Sequence, residues 1–370
     1  MQKKFLKNLK GEKMAEISIE RYSPEYKDQV IDLLSILWDD LSPEERRKKF
    51  EWQSEKNPYS EKPQYYLAKD GDEIVGIRAF IVHKYKLEGN KFFFGIPANG
   101  TIHPDYQRQG LFSRIDDYCK KDLANNSELK LILSVSPNKI ATKALKKYDY
   151  ITVGKRSKMY LFSIRNLLRN FFSRPVNIRN ESVRLKKDGL KLEVTDELRA
   201  KKIAKLMEEC RDEQKFTNLR DEKFYEWRFS NPLKDYVFGY CTKKDELVGY
   251  VALDITSEKI ISLLEYGYKD LSYFEELLKT IIKKLPVPII TAYVFTRPKE
   301  EKGVLSRCGF RDKNNWLINL LKRMGYISKA DLPGALIKPI SENITESDFI
   351  LNGKDVRDPE NWSLFKSDVH

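Results

Sequence analysis

The feature that most constrains the fold of this 370-residue chain is an internal repeat. Three groups of residues in the first half return, in the same order, in the second half. The matching pairs are Phe50-Glu51-Trp52 with Asn57-Pro58 and Tyr225-Glu226-Trp227 with Asn231-Pro232; Asp72-Glu73-Ile74-Val75-Gly76 and Asp245-Glu246-Leu247-Val248-Gly249; and Tyr150 and Phe310. Such a repeat predicts that one structural unit occurs twice. The chain length also suits two domains.

Hydrophobic periodicity and turn residues predict the same succession of elements in both halves. The first half is predicted to contain Ile17–Arg21, helices from Pro24 and Ser42, Tyr65–Ala68, Ile74–Tyr85, Lys91–Ile102, Gly110–Leu123, Leu129–Val135, Lys139–Lys147 and Ile151–Phe162. The second half is predicted to contain Lys191–Val194, Ala200–Cys210, Asp221–Phe229, Tyr236–Tyr240, Leu247–Ile255, Lys259–Tyr266, Leu271–Lys284, Val287–Phe295 and Lys299–Cys308. We therefore expect an α/β fold of two tandem domains, each a central mixed β-sheet flanked by helices.

A composition shift marks the predicted domain boundary. Residues 164–190 contain five arginines and Pro175, and we interpret them as a linker between an N-terminal domain at 15–163 and a C-terminal domain at 191–370. Residues 1–14 are expected to be a disordered leader. The segment Ile164–Phe172 has two interpretations: a helix packed between the domains, or a basic amphipathic helix lying on a membrane.

Composition excludes several classes of site. The four cysteines contain no CxxC pair, which argues against a zinc site and a disulfide framework and for a reducing compartment. Only three histidines occur, so a His-based metal centre or a Ser-His-Asp triad is not expected. No apolar run is long enough to span a bilayer, and we expect a cytoplasmic protein. The net charge of +13 suits an anionic partner or simply solubility.

The segment Thr101–Phe112 carries the chemistry, because it follows a predicted strand and opens a helix. A helix N-terminus presents unpaired N–H groups and a partial positive charge, which suit a pyrophosphate. Gly110 permits close approach of the backbone, and Arg108 adds a charged donor. Pro104 interrupts the strand ladder. A splayed strand end there would leave backbone groups free for an amide-bearing arm such as pantetheine.

This segment resembles the acetyl-CoA loop of the GNAT superfamily of N-acetyltransferases, whose pattern is Gln/Arg-x-x-Gly-x-Gly/Ala. Gln107, Gly110 and Phe112 fall on its three positions, although Phe112 replaces the usual small residue. The resemblance implies acetyl-CoA as co-substrate, with His103 contributing its backbone rather than its ring. The implied cofactor-binding residues are Ile102, His103, Gln107, Arg108, Gln109, Gly110, Leu111, Phe112 and Asn138.

The resemblance also exposes a departure from the family. The family often has a tyrosine that acts as general acid shortly after the Asn138-x-x-Ala141 element. In this chain that position is Leu145, and its counterpart in the second half is Leu305. Leucine cannot give up a proton. Tyr148, one helical turn later, is the candidate substitute, and its alternative role is a core aromatic that closes the helix.

The second half lacks the loop, since Leu264–Leu271 contains no Gln/Arg-x-x-Gly run at a helix start. We therefore predict that only the first half binds the cofactor. Tandem arrangements with one active half resemble the enhanced-intracellular-survival acetyltransferases and mycothiol synthase. In the former group the terminal carboxylate reaches the active half, which directs attention to the tail Glu360–His370.

The sequence thus predicts an acetyl-CoA-dependent N-acetyltransferase acting on a primary amine of a small molecule, such as an amino sugar or polyamine, or of a protein. The alternatives are an aminoacyl-tRNA-dependent transferase of the peptidoglycan-bridging type and a CoA-binding module whose chemistry has decayed. We expect no metal and no nucleic-acid partner. Glu51 could serve as a base, but its repeat partner Glu226 favours a structural role. The acceptor, the acyl length and the oligomeric state stay open.

Overall fold

The computed structural model describes residues 17–135, 137, 139–163, 183–187, 189–257, 260–285, 289–295, 298–312, 315–323 and 334–368. The predicted leader, the segment Ile164–Phe172 with its two interpretations, Asn138 and His370 lie outside these residues.

Helices and strands alternate along the described chain much as the periodicity predicts. The helices are α1 Lys27–Leu34, α2 Pro43–Phe50, α3 Leu111–Asn126, α4 Lys139–Lys146, α5 Ala200–Glu209, α6 Glu222–Arg228, α7 Leu271–Lys284, α8 Lys299–Arg307 and α9 Trp316–Arg323. The strands are β1 Ser18–Arg21, β2 Gln64–Asp70, β3 Glu73–Leu87, β4 Asn90–Ile102, β5 Leu129–Ser134, β6 Ile151–Val153, β7 Arg156–Phe162, β8 Val183–Lys187, β9 Leu190–Thr195, β10 Phe216–Asn218, β11 Tyr236–Lys243, β12 Glu246–Ser257, β13 Ile260–Tyr268, β14 Ile289–Phe295, β15 Ala335–Pro339, β16 Ile350–Leu351, β17 Lys354–Asp355 and β18 Trp362–Ser363.

Local chemistry accounts for several element ends. The Ser42 hydroxyl accepts a hydrogen bond from the Glu45 backbone N–H at 3.3 Å, and the Glu45 carboxylate accepts one from the Ser42 N–H at 2.8 Å. Together with Pro43 at the first helical position, this capping box begins α2 as its sequence predicts.

The two large sheets have the same layout. The first runs β1-β2-β3-β4-β5-β15-β6, with β10 added beside β3 and β18 beside β10. The second runs β7-β14-β13-β12-β11-β9-β8. Most neighbouring strands are antiparallel; the described parallel pairs are β4–β5 and β10–β18 in the first sheet and β13–β14 in the second. The predicted fold of two tandem mixed sheets flanked by helices is therefore confirmed.

The halves exchange strands. The stretch predicted as one strand, Ile151–Phe162, is two: β6 stays in the first sheet, whereas β7 pairs with β14 of the second. Reciprocally, β15 from the end of the chain inserts between β5 and β6. One strand from each side of the predicted boundary at 163–164 therefore pairs in the sheet of the other half. Residues 183–187, predicted as linker, form the edge strand β8 of the second sheet.

The crossing point requires glycine. A side chain at Gly334, just before β15, would place its Cβ 2.3 Å from the carbonyl oxygen of Gly154, the residue that separates β6 from β7. No other residue type fits where these two backbones meet. The chain segments that lead into β7 and into β15 therefore contact each other closely where they cross between the halves.

The largest hydrophobic cluster draws on both halves, from Trp52 to Leu364. At its centre the repeated tryptophans meet: the Trp52 and Trp227 rings stack with centroids 5.6 Å apart. The indole N–H of Trp52 donates to the carbonyl of Trp227 at 2.7 Å, and that of Trp227 donates to the carbonyl of Trp52 at 2.8 Å. The repeated element therefore has a structural role, as expected: its two tryptophans join the halves.

Among the described residues, no helix combines the length and the apolar character needed to cross a membrane.

Candidate functional site

The predicted cofactor loop has the backbone shape of an anion site. After β4, residues Pro104–Tyr106 form one turn of 3-10 helix, and α3 then starts at Leu111. Arg108 has φ of 62° and Gly110 has φ of 80°, so the chain turns twice through the left-handed region before the helix. The helix predicted over Gly110–Leu123 begins one residue later, at Leu111, and Gly110 is its N-cap.

Side chains inside the loop hold this shape. The Gln107 side-chain amide donates to the carbonyl of Ile102 at 3.0 Å, and that of Gln109 donates to the carbonyl of Asp105 at 2.7 Å. The ring of His103 accepts from the Asp105 backbone N–H at 3.4 Å. These three predicted cofactor residues therefore use their side chains to brace the loop, while Arg108 is exposed to solvent.

The N-terminus of α3 is open to an anion. No side chain caps it, and its first turn contains no acidic residue. The early N–H groups of this 16-residue helix have no partner inside the helix by geometry, and the helix dipole adds positive potential there. A Cβ built on Gly110 meets no described atom within 4 Å, so no described side chain crowds the start of the helix at this point. The backbone therefore fits a pyrophosphate.

The neighbouring strands splay as expected. The β4–β5 ladder ends at the pair Gly95–Ile132, whereas β4 continues to Ile102. A bulge accompanies this separation: the register against β3 shifts, and Asn99 adopts φ of 52°. The edge of β4 that faces β5 beyond Gly95 is left without a strand partner among the described residues, so it can pair with an amide-bearing arm.

A cavity of about 380 Å³ opens at this splay, and we call it the interdomain cavity because both halves line it. Its walls are Lys49, Trp52, Gln53, Ile96, Pro97, Ala98, Asn99, Ser134, Val135, Asn231, Leu233, Lys234 and Asp368. The side-chain amide of Asn99 donates to Gln53 at 2.9 Å and to the Tyr65 hydroxyl at 2.6 Å, which fixes the bulge against the π-helical turn Glu51–Glu55.

Asp368 is the acidic residue among the described walls of the interdomain cavity. Its carboxylate accepts from Arg220 at 2.7 Å and from the Asn218 side chain at 3.2 Å, and Arg220 also lies 3.0 Å from Glu265. Burial raises the pKa of Asp368, with Arg220 opposing the shift. The tail therefore brings a buried, partly compensated carboxyl group to the cavity.

Two lysines supply positive charge to the same cavity. Lys49 lies over the Trp38 ring, 4.4 Å from its centroid, and burial lowers the pKa of its ammonium. Lys234 pairs with Asp254 at 3.3 Å. The cavity thus offers both signs of charge within a wall of mixed polar and apolar side chains.

Tyr148 lies at the first turn of α3. Its hydroxyl is 3.0 Å from the Ser113 hydroxyl, and its ring contacts Phe112 with centroids 5.6 Å apart. Phe112 and Tyr148 are partly buried at the edge of a core cluster that contains Leu111 and the buried Leu145. Leu145 is therefore a packing residue. Asn138 lies outside the described residues.

The carboxylate of Glu51 accepts from Lys27 at 2.9 Å, and that hydrogen bond lowers the pKa of Glu51. Glu226 is exposed, and neither glutamate lines the interdomain cavity. No three His, Cys, Asp or Glu residues in the described parts of the chain are grouped so that they could hold a metal ion.

Two features of the second half disfavour an anion site at the corresponding place. The carboxylate of Asp270 caps α7 by accepting from the Ser272 N–H at 2.8 Å, which fills the helix end with negative charge. The β13–β14 ladder ends at Leu263–Ala292, but the tail occupies that opening: Phe365 contacts Tyr266, and Ser367 donates to the Glu265 carboxylate.

Sequence reasoning missed the cavity walls. Asn99, Lys234 and Asp368 come from a bulge, a loop of the second half and the tail. Trp52 was visible as a repeated aromatic, and the tail was indicated only by family analogy. No local pattern marks Asn99 or Lys234, because their place in the cavity wall depends on which segments of the chain meet there.

Residues 18–150 match the family described as the acetyltransferase (GNAT) domain. No curated protein matches the chain at the level of sequence.

Solved structures share the fold over most of the chain. A probable N-acyltransferase from Enterococcus faecalis V583 superposes with a TM-score of 0.63 at 13% identity, covering 88% of this chain and 73% of that one. A tandem GNAT protein from the clavulanic acid biosynthesis pathway gives 0.52 at 10%, covering 89% and 100%. Eis1 from Mycobacterium abscessus gives 0.51 at 12%, covering 88% and 74%. Identities this low establish a shared fold alone.

Proposed function

Since the chain carries a GNAT acetyltransferase domain over residues 18–150 and has the tandem GNAT fold, we propose that it transfers an acetyl group from acetyl-CoA to a primary amine of a small molecule or protein. The observation that carries this proposal is the uncapped N-terminus of α3 behind Gly110, next to the splayed strands β4 and β5.

The loop and the splayed strands would each bind a different part of acetyl-CoA. The pyrophosphate would lie on the first N–H groups of α3, at Leu111 and Phe112, with Arg108 as a charged donor. The pantetheine arm would pair with the free edge of β4 as far as Ile102. Gln107, Gln109 and His103 hold the loop, and Asn138 is proposed to meet the arm near the thioester. The acetyl group then points into the interdomain cavity.

The acceptor amine would enter the interdomain cavity. Asp368 would attract the ammonium of the acceptor. The ammonium would then lose a proton through water, so that its nitrogen carries a lone pair. The amine nitrogen would attack the thioester carbonyl carbon, the C–S bond would break, and Tyr148 would give its proton to the leaving thiolate. The proton that the new amide nitrogen loses would pass through water and replace the one that Tyr148 gave. Backbone N–H groups polarise the carbonyl. We place this activity in the cytoplasm, since all four cysteines are free thiols.

Acetyl-CoA binding is the first test. At a hundredfold excess over its Kd, a ligand that binds the folded state stabilises it by about 2.7 kcal/mol. We expect acetyl-CoA to raise the unfolding temperature in a concentration-dependent way, and free acetate to leave it unchanged. An unfolding temperature that does not respond to acetyl-CoA would rule the proposal out.

The Tyr148→Phe variant tests whether Tyr148 acts as the general acid or is only a packing residue. If Tyr148 is the acid, kcat should fall about a hundredfold while KM for acetyl-CoA changes little, because general acid catalysis contributes about 10²–10⁴-fold. The matched control is Ser113→Ala, which removes the other end of the same hydroxyl pair. Steady-state kinetics measure both. Equal kcat in Tyr148→Phe and wild type would show that Tyr148 is a core aromatic.

One observation favours a second candidate, a CoA-binding module without activity: Leu145 is buried where the family often has an acid. Such a module would bind acetyl-CoA yet show no transfer to any amine, and Tyr148→Phe would then change nothing. The tRNA-dependent alternative has no comparable support, because the open end of α3 suits a pyrophosphate rather than a long duplex.

A further inference from the structure

Four lysines lie in or beside the interdomain cavity, and we call them the basic rim: Lys49, Lys158, Lys234 and Lys366. Lys49 and Lys234 belong to the walls of the cavity itself. Lys366 lines a recess of about 20 Å³ that adjoins the cavity, since Val135 belongs to the walls of both. The basic rim therefore extends from the cavity wall into this recess.

Lys158 and Lys366 share one aromatic ring. Their ammonium groups lie 5.1 and 4.6 Å from the centroid of the Tyr293 ring. Neither lysine forms an ion pair with a residue in the described parts of the chain, and Arg156 lines the same recess as Lys366. The face of an aromatic ring attracts a cation but carries no net charge. Two ammonium charges therefore lie close together without a counter-ion.

Lys49, at the other end of the basic rim, has similar surroundings. Its ammonium lies over the ring of Trp38, and it forms no ion pair among the residues that the structure describes. Burial lowers the pKa of Lys49; the charge of Asp40 opposes this shift and that of Lys234 adds to it. Lys49 is therefore a third ammonium group whose charge no ion pair offsets.

Lys234 connects the two ends, and its own partner does not cancel the charge of the others. Burial lowers the pKa of Lys366 to about 8; Asp254 opposes this shift, whereas Lys158 and Lys234 add to it. Asp254 is already paired with Lys234 at 3.3 Å. Burial alone lowers the pKa of Lys158, so no acidic side chain in the described parts of the chain acts on it. Like charges held together in partly buried surroundings cost free energy, and an anion bound among them removes part of that cost.

The position of the basic rim relates this excess charge to the acceptor. Lys234 and Asp368 belong to the walls of one cavity of about 380 Å³, so a small molecule with an ammonium and an anionic group can contact both. The proposed transfer places the amine of the acceptor at Asp368. The anionic group of the same molecule would then meet the basic rim, whereas a diamine would bring a second positive charge to it.

We propose that the acceptor of the acetyl group is an amine that also carries a carboxylate or a phosphate, and that Lys234 and Lys366 bind this anionic group. The assignment rests on the proposed acetyl transfer and names the class of acceptor that the transfer uses. Polyamines and amino sugars without an anionic group are therefore poor acceptors, and amino acids or phosphorylated amines are suitable ones.

The test is isothermal titration calorimetry of the full chain, saturated with CoA, at fixed ionic strength. The probes are 4-aminobutyrate and O-phosphoethanolamine, with n-butylamine and putrescine as counterparts that lack an anionic group. We expect at least one anionic amine to bind at about millimolar concentration, a typical strength for so small a ligand. The counterparts should bind at least about tenfold more weakly, since they cannot accept charge-assisted hydrogen bonds. The tighter anionic amine identifies carboxylate or phosphate as the preferred group. Equal or tighter binding of a counterpart, or no binding of either anionic amine at tens of millimolar, overturns the proposal.

Variants locate the anionic group. Lys366→Met should weaken binding of the tighter anionic amine at least about tenfold and leave the affinity for CoA unchanged, a selectivity that a merely structural role would not produce. Lys84→Met is the matched control and should change neither, because Lys84 also lies over an aromatic ring, that of Phe93 at 4.8 Å, but outside the cavity and its recess. Unchanged binding of the anionic amine in folded Lys366→Met, or an equal loss of both affinities, refutes the site. If that variant does not fold, Lys234→Gln decides by the same measure.

The outcome is separable from that of the proposed transfer. If acetyl-CoA does not raise the unfolding temperature, the transfer itself is refuted and the acceptor class with it. A normal response to acetyl-CoA without any preference for anionic amines refutes the acceptor class alone.

Discussion

Gly110→Val is expected to weaken acetyl-CoA binding by at least about a hundredfold, equivalent to about 2.7 kcal/mol, while the chain still folds. Gly110 has φ of 80°, a conformation that a β-branched residue adopts only with strain of about 1–2 kcal/mol. No protein atom lies within 4 Å of a Cβ at this position, so the valine side chain would project into the open space before α3. That space is the one proposed for the pyrophosphate.

Gly89→Val is the matched control for this variant. Gly89 has φ of 81°, also has no atom within 4 Å of a built Cβ, and lies in the hairpin between β3 and β4. Both variants should lose similar stability in denaturant unfolding, but only Gly110→Val should lose acetyl-CoA binding in calorimetry. Wild-type affinity in Gly110→Val would place the cofactor elsewhere.

Trp52→Ala and Trp227→Ala are expected to cause the largest losses of stability. Removing a buried tryptophan costs about 3–5 kcal/mol. Here each substitution also deletes one of the two reciprocal indole–carbonyl hydrogen bonds and the stacked ring of its partner. Because the two side chains contact each other, the double variant should lose less than the sum of the single variants.

Urea unfolding measures this effect. Since the central cluster is shared, each single variant should destabilise both halves together, in one transition. Trp316→Ala is the control: Trp316 is 73% exposed, so its loss should be within about 0.5 kcal/mol of zero. Two separate transitions, with only one of them shifted by Trp52→Ala, would contradict the idea that the tryptophans join the halves.

The predicted elements that were confirmed depend on short-range signals. The capping box at Ser42, for example, lies within four residues. The turn before α3 is also local: Gly110, predicted to permit close approach of the backbone, has φ of 80°. In such places the residues that define a structure are neighbours in the chain, so one sequence suffices to find them.

The interdomain cavity shows the opposite case. Asn99 faces it only because a bulge shifts the register of β4, and Lys234 only because a loop of the second half crosses over the splay. Asp368 reaches it because the tail runs back between the halves and is held by Arg220. These residues lie far apart in sequence, and nothing local marks them as neighbours.

The sequence by itself determined the repeat and the succession of helices and strands, and it predicts one anion-binding loop in the first half and none in the second. Those features follow from periodicity, helix ends and glycine conformation, which act over a few residues. Only the tertiary structure decided that β7 pairs in the second sheet and β15 in the first, because no short-range signal in either strand specifies its partner. It also decided that the tail reaches the interdomain cavity. Which distant segments pair is settled by total burial across both halves, and no single segment contains that information.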